Sequence, residues 1–172
     1  MRSITSLFFG VKVTNIKIRP ACLDDLGQLN SLMFDLHDYH HQSMPTDIKT
    51  PEEIEKQKSI ARYMHDPECL VYVAVDPIKD NVVGFITGHF CELISVVSKP
   101  IQMGSVDEVF VSPEYRKQSV ANQLMQRLEK TFEEYGVKKI FVEVWHFNQH
   151  ALKFYEKSGF SHHIHWLCKS IE

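Results

Sequence analysis

Arg116 and Lys117 stand where the strand-like run VDEVFV (Val106–Val111) gives way, through SPEYRKQ, to a long amphipathic helix. The first amides of a helix lack intrahelical acceptors and lie at the positive end of its dipole, so this junction can hold an anion such as a phosphate. The same pattern also fits a plain helix start, because basic pairs after short turns are common. A second group lies in NQHALKFYEKSGF. Asn148 reads as an N-cap, Gly159 as a C-cap glycine and Phe160 as the return to the core. Those roles leave Tyr155, whose hydroxyl either packs at a core edge or donates a proton to a leaving group. Two acidic places complete the chemistry. Glu143 interrupts the apolar run FVEVW, where a carboxylate usually has a partner. Asp107 and Glu108 are adjacent, and strand alternation sends them to opposite faces.

The elements that must position these residues follow from periodicity. TNIKIR (Thr14–Arg19) alternates as a half-buried strand and stops at Pro20, and a helix follows with Leu23, Leu26, Leu29, Leu32, Met33 and Leu36 at helical spacing. That helix runs into the polar segment HDYHHQSMPTD, and another opens at Pro51 and reaches about His65. LVYVAV (Leu70–Val75) and VVGFITGHF (Val82–Phe90) read as a hairpin around DPIKDN, and a further strand spans about Gln102 to Val111. The helix after it carries Val120, Leu124, Leu128, Phe132 and Tyr135 on one stripe and stops at Gly136. KIFVEVW (Lys139–Trp145) is then a strand, Asn148–Gly159 a short helix, and Phe160–Cys168 a last strand that includes His162, His163 and His165. There is no internal repeat.

At 172 residues with 44% hydrophobic and 24% charged residues, the chain suits one globular domain. A net charge of -3 and scattered basic residues give no case for nucleic-acid binding. No run approaches the roughly 20 apolar residues that cross a bilayer. MRSITSLFFGVKV is too short and interrupted for a secretory signal, so residues 1–13 read as an N-terminal extension to a single domain over residues 14–172. Cys22, Cys69, Cys91 and Cys168 form no CxxC pair, which indicates neither zinc nor a disulfide framework and suits a cytoplasmic protein. His37, His40 and His41 have i, i+3, i+4 spacing, but no acidic or cysteine motif accompanies them, and no metal is expected.

Taken together, the two chemical segments resemble the GNAT superfamily of acetyl-CoA-dependent N-acetyltransferases. Arg116, Ser119 and Ala121 occupy the family's R/Q-x-x-G-x-G/A phosphate motif after Phe110-Val111-Ser112-Pro113-Glu114-Tyr115, and N-x-x-A-x-x-x-Y-x-x-x-G-F is complete from Asn148 through Ala151 and Tyr155 to Phe160. The resemblance implies an α/β (α+β) fold: a mixed, mostly antiparallel sheet of six to seven strands, splayed in the middle, with helices on both faces. It further implies that the strand edge at Val109, Phe110 and Val111 and the side chain of Asn148 contact the pantetheine arm. The amides of Lys117, Gln118, Ser119, Val120 and Ala121 would hold the pyrophosphate, and Tyr155 would lie near the CoA sulfur. One position departs from the motif. Serine fits at position 119 without strain if φ is near -60°, as expected of a residue opening a helix, and costs about 1 kcal/mol or more if φ is positive.

The implied reaction is direct attack of a primary amine on the acetyl-CoA thioester in a ternary complex. An alkylamine with pKa near ~10.4 is protonated at neutral pH, so a base is needed. Glu143, twelve residues before Tyr155, is the first candidate, and Glu108 and Asp107 compete with it. In relatives Leu36–Pro45 shapes the acceptor pocket, which nominates Asp38, Tyr39 and His40 as contacts. The acceptor is a small-molecule amine or a peptide or protein amine, with no nucleic acid or membrane partner and with a homodimer open as the assembly. The competing reading is a GNAT-fold module that binds CoA as a sensor or interaction domain with weak or no catalysis. An acyl carrier or nucleotide-binding protein would leave the second motif unexplained.

Overall fold

The computed structural model describes residues 15–93 and 96–171. The expected N-terminal extension, and Thr14 at the start of the first expected strand, lie outside them. Five strands form one sheet in the order β1 (Lys17–Pro20), β2 (Cys69–Asp76), β3 (Asn81–Leu93), β4 (Ile101–Val111) and β5 (Lys139–Val142). Neighbours are antiparallel except β4 and β5, which are parallel. A parallel pair needs a crossover, and α4 (Val120–Glu134) supplies it. The other helices are α1 (Leu26–Ser43), α2 (Pro51–Gln57), α3 (Ile60–His65) and α5 (Gln149–Lys157).

Alternation on the central strands sorts the core into two layers. On β2, Tyr72 and Ala74 face α4, whose Val120, Leu124, Met125, Leu128 and Phe132 are buried. Val73 and Val75 face the other way, onto Leu29, Leu32, Met33 and Leu36 of α1 and Ile60 of α3. Each fully buried aliphatic side chain contributes about 1.5–3 kcal/mol. Phe132 lies so close to the sheet that only glycine fits beneath it: a Cβ on Gly104 would be 2.6 Å from its ring. Tyr135 does not extend this stripe; it is 73% exposed at the helix end. Gly136 (φ 81°) then closes α4, with the Val137 amide donating to Phe132 O at 3.0 Å.

Two expectations change. The helix beginning at Pro51 is two helices, because Lys58 leaves helical geometry (φ -136°, ψ 69°) and Ser59 caps a new start by accepting from the Arg62 amide. The polar segment after Leu36 begins inside the first long helix, as α1 continues through Ser43. Among the described residues the sheet has five strands, not six to seven, and Phe160–Cys168 forms none. β5 is only four residues long and offers little edge to pair with. Trp166 (89% exposed) and Leu167 (94% exposed) have no apolar surface beneath them.

Candidate active site

Pairing between β3 and β4 matches Thr87 with Glu108 but Gly88 with Val106, leaving Asp107 as an extra residue. This is a β-bulge, and it inverts the alternation along β4. Before it Val106 faces α4; after it Val109 and Val111 do. Asp107 and Glu108 therefore share the face beneath α1–α3, contrary to the opposite faces that strict alternation gives. The parallel ladder with β5 ends at the same place, on the pair Val106 and Val142. From Asp107 to Val111, β4 has no strand on its β5 side among the described residues, so the sheet is splayed there.

Two polar groups converge on the bulge. Asp107 accepts hydrogen bonds from Tyr63 Oη, from Ser105 Oγ at 2.9 Å and from His89 Nδ1 at 2.8 Å. Burial, aided by the charges of Glu108 and Glu143 and opposed by Lys58, pushes its carboxyl up to about 7. Glu108 is buried, accepts from Thr87 Oγ1 and pairs with Lys58 Nζ at 2.5 Å. Burial also lowers the pKa of His37, His40 and His89, so these imidazoles are neutral at pH 7. His37 Nε2 is buried without a hydrogen-bond partner among the described residues. His41 points elsewhere, to Ile48 O at 2.7 Å.

Tyr155 approaches from α5. Its ring is buried against Phe154 and Phe160, and burial together with the charges of Glu108 and Asp107 raises its pKa well above the ordinary tyrosine value. The phenol is therefore protonated at any physiological pH. Asn148 caps α5 by accepting from the Ala151 amide at 3.1 Å, and Gly159 (φ 93°) closes it. Glu143 lies differently from expectation: β5 stops at Val142, leaving Glu143 exposed and, among the described residues, without an ion pair. Asp38, Tyr39 and His40 lie on the last turns of α1, where the rings of Tyr39 and His40 pack against Phe147 at 6.2 and 5.8 Å.

The turn before α4 also departs from expectation. Ser119 is left-handed (φ 62°, ψ 12°), not near φ -60°, and Lys117 is left-handed too (φ 59°). A residue one place before the helix proper is free of its dihedrals, and here the chain must reverse sharply between Arg116 and Val120. The serine is thus accommodated at a cost that glycine would avoid. Gln123 is the first helical residue whose amide is bonded, to Ser119 O at 3.0 Å; the amides of Val120, Ala121 and Asn122 precede any intrahelical acceptor. Arg116 is fixed beside them, its Nε donating to Val111 O at 2.8 Å and its guanidinium 5.5 Å from the Phe110 ring centroid.

Sequence reasoning did not anticipate Lys58, Tyr63, Thr87 or His89. Thr87 and His89 alternate with Phe85 and so announce one face of β3, but the bulge that makes this the site's face has no signature in a single sequence. No cysteine suits a covalent step. All four are unpaired, and Cys69, behind the site on β2, is pushed up to about 11 by burial, which leaves it a protonated thiol.

The Acetyltransferase (GNAT) family model matches residues 33–160, a span containing the bulge, the α4 turn and α5. An acetyltransferase from Vibrio fischeri is 54% identical, with 75% of this chain and 96% of that one covered at a TM-score of 0.62. A mutant of the BH1408 protein from Bacillus halodurans shares the fold at 15% identity, covering 91% and 99% with a TM-score of 0.82. AAC(6')-Iy, solved with the bisubstrate analog CoA-S-monomethyl-acetylneamine, does so at 15% identity, covering 91% and 98% with a TM-score of 0.68. No curated protein matches the chain. With the family's pattern covering most of its length, this chain belongs to the GNAT acetyltransferases.

Proposed function

We propose that this acetyltransferase moves an acetyl group from acetyl-CoA to a primary amine by direct attack in a ternary complex. The observation that carries the reading is the bulge at Asp107. It ends the β4–β5 ladder, frees the strand edge from Asp107 to Val111, and gathers two carboxylates on one face.

The residues present fit the co-substrate. Free amides at Val120, Ala121 and Asn122 and the left-handed turn at Lys117–Ser119 suit a pyrophosphate, with Arg116 beside them. The β5-side edge of β4 from Val109 to Val111, which no strand covers among the described residues, suits the amide groups of a pantetheine arm, and Asn148 and Ala151 stand at the head of α5, the helix that carries Tyr155. Bound acetyl-CoA supplies the thioester carbonyl that the amine attacks. Asp107, half-ionised near neutrality, is matched to the task of taking the proton from an ammonium acceptor, and it replaces the exposed Glu143 as the base in this reading. Tyr155 holds its proton and can give it to a departing sulfur.

The acceptor pocket lies between the end of α1 and the bulge. Its carboxylates favour a cationic amine, and the unpartnered His37 Nε2 offers it a hydrogen bond. The neighbour bound to a CoA-linked acetylneamine supports a small amine as acceptor. Two measurements test this. Acetyl-CoA at millimolar concentration should raise Tm, because a ligand of the native state stabilises by mass action; no shift sinks the co-substrate assignment. Primary amines screened for release of CoA thiol should include active acceptors among small polycations, and silence across the panel sinks the reaction.

A further inference from the structure

Lys58 lies outside both family motifs, yet its ammonium ends on the carboxylate next to the bulge. It comes from the break between α2 and α3, where φ -136° and ψ 69° turn the chain out of helical geometry and aim the side chain at the sheet. Nζ lies 2.5 Å from Glu108 Oε1 and 5.3 Å from the Tyr63 ring centroid. Asp107, His37 and His89 all feel its charge. Among the described residues no other lysine contacts Asp107 or Glu108. A buried carboxylate beside a base, an aromatic ring and a primary ammonium is the surrounding that an acceptor amine needs. The protein's own chain already fills it with one.

We infer that Lys58 is a self-acetylation site, taking the acetyl group when no external amine is present. The inference rests on the proposed transfer from acetyl-CoA. Lys58 is placed for it: its side chain is 41% exposed, so it is neither sealed in the core nor loose on the surface, and it ends on the residue following the bulge that opens the sheet. The step balances without a further reagent. Asp107 takes one proton from the ammonium, and the Nζ lone pair forms a bond to the thioester carbonyl carbon. The C–S bond then breaks, and the sulfur leaves as CoA thiol with a second proton from nitrogen. The product is a neutral acetamide on Lys58. It keeps one N–H donor but no charge, so the ion pair between the α2–α3 segment and β4 is lost once it forms.

The test is to incubate the full chain with acetyl-CoA without acceptor and follow intact mass, then map the modified peptide. One acetyl group is expected, on Lys58, at least tenfold faster than on the exposed Lys56, Lys130 or Lys153. Asp107→Asn should slow it, and a rising concentration of a primary alkylamine should suppress it, because both amines need one place. Lys58→Arg keeps a cation on Glu108 but should take no label at that position. Label spread evenly over exposed lysines and insensitive to Asp107→Asn means chemical acetylation only and overturns the inference. So does an unmodified Lys58 in protein that acetylates the added amine. A protein that shows neither a Tm shift with acetyl-CoA nor transfer to any amine fails at the proposed function instead.

Discussion

Asp107 sets the pH behaviour of the reaction in this reading. A base acts only when deprotonated, and its carboxyl is pushed up to about 7 by burial. The rate at limiting substrate should therefore rise as pH increases from 6 to 8, with its midpoint near neutrality. Asp107→Asn should lower kcat by about 10²–10⁴ and flatten that limb; a pH profile that keeps its midpoint in the variant would move the role to another group. Ser119 invites the opposite kind of test. A left-handed serine costs roughly 1–2 kcal/mol, part of which glycine returns as unfolded-chain entropy. Ser119→Gly should thus stabilise by about 1 kcal/mol and raise Tm by about 2–4 °C. A fall in Tm on scanning calorimetry would show that the serine side chain contributes more than its backbone strain. This residue also marks a limit of sequence reading. Its place in the motif was legible, whereas its dihedral was not, because φ there answers to the sharp reversal of the chain between Arg116 and Val120.

At the scale of elements, what could be read were the segments with a strong period. The β2–β3 hairpin, α4 with its glycine stop, and α5 with Asn148 and Gly159 at its ends lie where alternation, helical spacing and caps put them. What escaped were interruptions that depend on a neighbour. The break at Lys58–Ser59 coincides with the tie of Lys58 to Glu108, fifty residues on. The early end of β5 follows from the bulge in β4. Gly104 shows the same dependence in a testable form. In sequence it is a glycine in a strand; in the fold it is the floor under Phe132, which is fully buried. Gly104→Ala would push a ring with nowhere to go, and overpacking of this kind costs about 1–3 kcal/mol. Tm should fall accordingly, by urea or heat, and an unchanged Tm would mean that α4 can shift outward as a unit.

Across the whole molecule, protonation couples the site to stability with two opposing signs. His37, His40 and His89 have folded pKa values below the unfolded value near ~6.5, so the unfolded state binds protons that the native state refuses, and stability falls as pH drops through and below 6.5. Asp107 works the other way. Its raised carboxyl binds a proton in the native state between about pH 4 and 7 that the unfolded state releases, so this group contributes stability on the acid side of that window and loses it as pH rises. The change in Tm from pH 7 to pH 5 should therefore be more strongly downward in Asp107→Asn, and less so in His37→Gln, than in the wild type. A reversal of either order would overturn the assignment of signs. Arg19 and Asp25, joined by two hydrogen bonds of 2.6 and 2.8 Å, lie outside this window, since the depressed Asp25 carboxyl loses its contribution only at still lower pH.

The extra residue in β4 acts like a frame shift within a strand. Up to Val106 the odd and even positions address one pair of faces; from Glu108 onward they address the reverse. Deleting Asp107 would therefore leave every other side chain of this stretch on its present face, since Val106, Glu108, Val109, Phe110 and Val111 would then alternate regularly. Pairing β3 with β4 without the bulge while keeping Asp107 would do the opposite: it would turn Val109 and Val111 away from the α4 layer and send Phe110 into it.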